Sequence, residues 1–235
     1  MNSWDLRAFR NDLSIFIKKI GDYNIEGEFS SLNTILENLE NKALVSYKLE
    51  SICFYVNSPI AGTFPDNLHF FQIYLDNMLM VKDELDLNTD PLYAYYLNIY
   101  IQAYKSQADN KKVHFSSWHL DKHKNENVPK YTHPTYHFQF GGKKMELLDD
   151  QLAILASPRI PHPPMDIFLG VHFIISNFFN NRQYGFVNEL LADYDYQQII
   201  KRAQNRLWKP YFKAFDSSNI HNDFTMNNIF PLYLS

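Results

Sequence analysis

The sequence predicts an α+β protein, mostly helical, with a small antiparallel sheet in the middle-to-C-terminal half. Three observations carry this. Apolar residues recur at helical spacing near the N-terminus and again after Pro164. The period changes to two over Val113–Lys122 and Thr135–Phe140. Gly141-Gly142 then closes the second of those runs.

Ser3 can cap a first helix whose stripe is Trp4, Phe9, Leu13, Phe16, Ile17 and Ile20, with Gly21 ending it. Ser31 is a second cap, before Leu32, Ile35, Leu36 and Leu39. Leu44–Val56 is ambiguous, its β-branched and aromatic residues favouring a strand. Ser58-Pro59 and Phe64-Pro65-Asp66 bound a loop. His69–Leu85 reads as an amphipathic helix. A further helix runs from Asp90-Pro91 to about Gln107, with Asp as cap and Pro at the first helical position. The polar break Asp109–Lys112 precedes the two strands, which the loop Lys124–Pro134 joins. Gln151–Ala156 is a candidate third strand. Pro163-Pro164 opens an apolar helix over Met165–Phe179, followed by helices over Tyr184–Ala192 and Tyr194–Trp208. The Asn-rich tail from Asp216 ends in Ile229-Phe230-Pro231-Leu232-Tyr233-Leu234, able to dock on the body. The 235 residues suit a single compact domain, divisible into a helical part, 1–110, and a sheet-plus-helix part, 111–235.

Composition narrows the function classes. Hydrophobic residues make up 46% and charged residues 20%, a globular balance. With 19 Phe and 16 Tyr, much of the core must be rings. The net charge of −4 gives no chain-wide footprint for nucleic acid, which leaves only a local patch possible. Lys201, Arg202, Arg206, Lys209 and Lys213 could form one, although a solvated helix face explains them as well. The single cysteine, Cys53, cannot form an intrachain disulfide, and its apolar neighbours favour a buried thiol in a reducing cytoplasm. The N-terminus does not read as a signal peptide, and the longest apolar run is interrupted and too short to span a bilayer. The expected setting is therefore cytoplasmic, away from the membrane. There is no G-x-S-x-G elbow, P-loop or dinucleotide-type glycine loop.

Chemistry concentrates between Trp118 and Asp166. Five of nine histidines, His119, His123, His133, His137 and His162, lie there with Asp121, Arg159 and Asp166, beside prolines that fix the backbone. Strand alternation puts Phe115, Ser117, His119 and Asp121 on one face and Trp118 and Leu120 on the other. On the next strand it groups Thr135, His137 and Gln139 against Tyr136, Phe138 and Phe140. Pairing as a hairpin would unite His119, Asp121, His137 and Gln139 on one surface, an arrangement suited to acid–base chemistry. The polar side of any half-buried sheet gives the same alternation. His119, Asp121 and His137 could also supply three metal ligands, but the spacings match no strong motif and no metal is assigned. Arg159, held extended between prolines, suits phosphate or carboxylate, or a structural pair with Asp121 or Asp166. Asp166 also suits a helix first turn, and His172 a core position.

Asp121, then His133-Pro134-x-x-His137-Phe-x-Phe-Gly-Gly, then Arg159-Ile160-Pro161 before an apolar helix, resembles uncharacterised bacterial families with an H-P-x-x-H strand followed by an R-I-P segment. The pattern is loosely similar to toxin–antitoxin and phage-defence proteins, and it covers residues 113–180. The resemblance singles out Asp121, His133, His137, Arg159 and Pro161 and implies no reaction. Two functions are expected. The first is an accessory or regulatory protein of a defence or toxin–antitoxin type system, working through a protein partner. The alternative is a hydrolase or nuclease-like enzyme acting on a phosphodiester or nucleotide. Its catalytic set is His133, His137, Asp121 and Arg159, with His119, Gln139 and His162 binding substrate. Neither reading names a cofactor.

Overall fold

The computed structural model describes residues 4–83, 89–108, 114–123, 133–141, 145, 158–215 and 225–231. Among these residues seven strands form one sheet: β1 (Gly27–Glu28), β2 (Ser46–Val56), β3 (Phe70–Val81), β4 (Leu92–Tyr104), β5 (His114–Lys122), β6 (Tyr136–Phe140) and β7 (Ile160–Pro161). Their order in space is their order in sequence, and every neighbouring pair is antiparallel. The sheet is therefore a meander, continuous across residue 110 through the β4–β5 pairing. Among the described residues six α-helices accompany it: α1 (Leu6–Asp22), α2 (Ser30–Asn38), α3 (Ile167–Phe178), α4 (Gly185–Ala192), α5 (Tyr194–Lys213) and α6 (Met226–Ile229). None of the described helices is long and apolar enough to cross a membrane.

This architecture corrects the expected fold class. The sheet is the spine of the molecule and not a small late addition, and its three longest strands, β2 to β4, lie in the N-terminal half. The helices expected over His69–Leu85 and Asp90–Gln107 are β3 and β4. Both strands do alternate: Phe71, Ile73, Leu75, Leu79 and Val81 are buried, as are Tyr95, Leu97, Ile99, Ile101 and Ala103. The alternation is blurred because Tyr74, Met78, Tyr96, Tyr100 and Tyr104 occupy the opposite face, where they are half-buried. Rings on both faces supply helix-like spacings by coincidence. Asp90 caps no helix. Its carboxylate accepts from the Leu92 amide at 3.0 Å and from the Tyr136 hydroxyl at 2.8 and 2.9 Å, and it pairs with Lys122 Nζ at 2.9 Å. A cap-and-proline signature thus serves a strand start tied to β5 and β6.

Other boundaries shift for local reasons. Ser3 lies outside the described residues. The cap of α1 is Asp5, whose carboxylate accepts from the Ala8 amide at 2.7 Å. Gly21 sits inside the last turn of α1 and does not end it. Ser31 is inside α2, where its hydroxyl donates to the Glu50 carbonyl across to β2. Helix α5 continues through Pro210 to Lys213, beyond the expected end at Trp208. The proposed strand Gln151–Ala156 lies outside the described residues, as does most of the loop Lys124–Pro134.

The buried face of the sheet meets the helices. Helix α3 lies close on it at Gly170, where an added Cβ would come within 3.0 Å of Leu97 and 3.1 Å of Leu75. Phe168 of α3 packs on Phe9 and Phe16 of α1, and Phe16 stacks on Tyr196 of α5. Inside this aromatic core runs a four-residue ion network. Asp166, fully buried, accepts from Arg206 at 3.0 Å, Arg206 lies 3.7 Å from Asp12, and Asp12 takes a bidentate bond from Arg202. Asp166 also caps α3 by accepting from the Leu169 amide. Its partner is therefore Arg206 and not Arg159. Arg206, buried among the rings of Trp4, Phe9 and Phe168, is withdrawn from any basic surface patch. His172 is a partly buried histidine whose Nδ1 meets the Tyr196 hydroxyl at 3.0 Å.

Candidate functional site

The site lies where β5, β6 and β7 run side by side. Strand β5 pairs with β6 so that His119 faces Gln139 and Asp121 faces His137. Cross-strand partners project to the same face, so these four residues share one surface. Strand β7 pairs Pro161 with His137 and Ile160 with Phe138. By the same alternation Arg159, two residues before Pro161, belongs to the face of His137. Ile160 belongs to the face of Phe138.

Local structure holds these strands in place. Ring packing of Trp118 on Phe138 and Phe140, with centroids 5.2 and 5.1 Å apart, locks the β5–β6 register from the opposite face. Beyond β7, the prolyl segment is pinned at several points. Tyr95 accepts from the Met165 amide and donates to its carbonyl, Trp208 Nε1 donates to the Pro164 carbonyl, and Tyr47 accepts from the Ile167 amide. Tyr47 in turn donates to buried Asn77. The start of β6 is anchored too: the Thr135 amide donates to the Asn228 carbonyl at 2.7 Å, beside Ile229, which is buried in the core. The Asn-rich tail thus docks through α6 against the β6 end of the site.

Four imidazoles form a row. The His123 and His133 rings are 4.1 Å apart between centroids, His133 and His137 4.5 Å, and His137 and His119 6.2 Å. His123, one of the five clustered histidines in the sequence but given no catalytic or binding role there, enters the row through its main-chain bond to Thr135. The signal that could have found it is the His119-x-x-x-His123 spacing, which on a strand end, rather than a helix, still leads to the same cluster. His119 Nδ1 lies 3.3 Å from the Gly141 carbonyl, and its Nε2 lies 3.6 Å from Asp121 Oδ2. A carbonyl only accepts, so the Gly141 contact makes Nδ1 the donor and turns Nε2 towards Asp121. His162 stands apart. It follows β7 on the other side of the sheet, with its ring 5.7 Å from Phe138 and its Nδ1 bonded to the Pro163 carbonyl.

Burial and charge set the protonation of this row. Burial lowers the His137 pKa to about 3, reinforced by His133, Arg159 and His119 and opposed by the Pro134 carbonyl. Burial, His123 and Arg159 lower His133 to about 4. His123 is lowered by burial and then by Arg159, and His162 by burial. Burial raises the Asp121 carboxyl, and His119 opposes that shift. At neutral pH, therefore, His123, His133 and His137 are neutral and keep a free lone pair, with the one guanidinium of Arg159 beside them.

Several of these groups are buried without a partner. His137 Nδ1, His133 Nε2 and Arg159 Nε are all inaccessible and make no hydrogen bond, although His137 as a whole is only 4% exposed. Buried polar atoms in proteins are nearly always bonded, and each exception calls for a reason. Arg206 Nε in the Asp166 network is likewise unpartnered, but it is a single atom beside a guanidinium nitrogen that does bond Asp166, whereas three such atoms gather at β5–β7. Cys53 is buried and its thiol is pushed up to about 12 by that burial, so it is no nucleophile.

No family model, curated protein or solved structure matches the chain.

Proposed function

We propose that this protein is a hydrolase acting on a phosphodiester or nucleotide, with its site on the shared face of β5, β6 and β7. The observation that carries the proposal is the group of buried, unpartnered donors and acceptors on His133, His137 and Arg159. A purely architectural hairpin would answer its own buried polar atoms, since leaving one unanswered costs about 1–3 kcal/mol. For this reason the hydrolase reading is preferred to an accessory role exercised through a protein partner.

Roles follow from charge and position. Arg159 is the group suited to hold the phosphoryl oxygens, because its guanidinium is always charged and presents a planar fork of donors. The donor atoms of His119, Asp121 and His137 lie within 4.8 Å of one another and mark the place for an attacking water. His133, neutral and next to His137, accepts a proton from that water. The water oxygen bonds to phosphorus, the phosphorus–oxygen bond to the leaving group breaks, and the proton on His133 passes to the leaving oxygen. Gln139, across from His119, can donate to substrate from its side-chain amide.

The test is hydrolysis of bis(4-nitrophenyl) phosphate and of a dinucleotide panel by the purified chain, set beside His133→Ala. Turnover that falls at least about 100-fold in the variant, with the circular dichroism spectrum unchanged, is expected. Absence of turnover on every phosphodiester and nucleotide, or equal turnover by the variant, would remove the proposal.

A further inference from the structure

We propose that His119, Asp121 and His137 bind a single divalent transition-metal ion through two imidazole nitrogens and one carboxylate oxygen. This deepens the hydrolase reading, since the ion would sit among the three donor atoms and itself carry the attacking water. Only its role, and not its binding, depends on that reading.

Spacing comes first. Around a tetrahedral ion with ligand distances of 2.0–2.2 Å, donor atoms stand roughly 3.3–3.6 Å from one another. His119 Nε2 and Asp121 Oδ2 are 3.6 Å apart, and a donor atom of His137 lies within 4.8 Å of both.

The supports of the ligands are in place. Metal-binding histidines almost always donate their second ring N–H to a carbonyl or carboxylate, which fixes the tautomer and aims the lone pair. His119 meets that requirement through Gly141. Gly141 has φ +102°, in the region that favours glycine, and its amide donates to the Ser117 carbonyl at 2.8 Å. The carbonyl that orients His119 is thereby tied to the same strand as His119.

His137 supplies an independent observation. It is only 4% exposed, it faces Asp121 across the β5–β6 pair, and its Nδ1 is unpartnered. An imidazole placed there for packing alone leaves Nδ1 buried without a partner. Ligation of a cation shared with Asp121 would give the ring one.

The donor set selects the ion. Two imidazoles and one carboxylate suit zinc, iron(II), manganese or cobalt and not calcium or magnesium, which take oxygen ligands. All three ligands come from adjacent strands and approach from the sheet side. Three protein ligands would leave a fourth position of a tetrahedral ion for water or a phosphoryl oxygen, and a bound ion would lower the pKa of that water towards neutrality. Arg159 is not among the ligands and remains free to take the substrate's charge.

The experiment uses the untagged full chain, stripped with chelator and titrated with Zn²⁺ and Co²⁺ by calorimetry, with the visible spectrum of the Co²⁺ form as a second readout. One ion per chain is expected. Asp121→Asn and His119→Gln should each weaken binding by more than the roughly 10–100-fold that follows loss of an outer partner. Arg159→Ala should bind normally, and circular dichroism verifies that each variant folds. A wild-type chain that takes up neither ion overturns the proposal, as does equal binding by the His119→Gln/Asp121→Asn double variant. Stoichiometric, ligand-dependent binding without phosphodiester hydrolysis supports the metal site and defeats the hydrolase reading. Hydrolysis by an ion-free chain that binds no metal does the reverse.

Discussion

Asp121 on β5 stands directly across from His137 on β6, one of five registered pairs that unite the two strands. That pairing puts a half-exposed carboxylate beside a buried, neutral imidazole. It also explains why residues 16 positions apart in sequence act on one small volume. The functional account rests on this pair and on the neighbours that the meander delivers to it.

Arg159 is assigned to the phosphoryl group, so its removal should be felt in the transition state. Arg159→Ala should lower kcat/KM on a phosphodiester by about 10²–10³-fold. Arg159→Lys should recover only part of the loss, because an ammonium cannot reproduce the guanidinium fork. Steady-state kinetics of the two variants checks this. Equal activity in all three proteins would exclude Arg159 from the site.

The buried network at Asp166 should dominate the response to substitution in the helical layer. Asp166→Ala leaves the Arg206 guanidinium buried with only Asp12, 3.7 Å away, and removes the cap of α3. Breaking one partner of a buried ion pair costs about 3–5 kcal/mol. Urea unfolding should show a loss in that range. A loss under about 1 kcal/mol would mean that Arg206 finds water or another acceptor.

Gly27 is indispensable to β1. A Cβ there would meet the Cys53 carbonyl at 2.1 Å, against backbone that cannot swing aside. Gly27→Ala should detach the edge strand, at a cost of about 1–3 kcal/mol. Hydrogen exchange reads it directly: the Tyr55 amide, which donates to the Glu26 carbonyl at 2.9 Å, should lose its protection. The β3–β4 amides should keep theirs.

Acid should weaken the fold partly through His172. Burial lowers its pKa below the ordinary 6.5, so the unfolded chain takes up the proton first. The stability associated with the neutral ring is full above pH 6.5 and is lost as pH falls through the lower folded value. Comparing unfolding free energies of wild type and His172→Gln across that window isolates the effect. The wild-type curve should fall more steeply with acid. Parallel curves would show that His172 titrates alike in both states.

Much of the site was legible in the sequence because strands β5 and β6 alternate cleanly. His119, Asp121, His137 and Gln139 could be assigned to one face from parity alone. The 3.6- and 4.1-Å geometry was not legible, since it depends on the register between strands and on main-chain bonds such as His123 to Thr135. His162 could not be separated from the cluster in one dimension, although it falls on the opposite side of the sheet. The largest misreading was β3 and β4. Their second face carries Tyr74, Met78, Tyr96, Tyr100 and Tyr104, whose rings pack along the sheet, as Tyr74 does on Tyr100 at 5.8 Å. Amphipathic periodicity cannot identify a strand whose wet side is built from tyrosine. Asp90-Pro91 misled for a different reason: its carboxylate answers Lys122 and Tyr136, and these contacts are invisible locally.

If the cluster around Asp121 is a site of chemistry and not a structural hairpin, its charge must matter more than its shape. Asp121→Asn tests it most directly, because the change keeps the shape of a side chain that is 44% exposed and alters its charge. Phosphodiester turnover and the thermal midpoint would be measured on the same preparations. The account predicts a loss of activity of at least about 100-fold, with a midpoint shifted by no more than about 2–4 °C. Unchanged turnover, or activity and midpoint falling together, would contradict it.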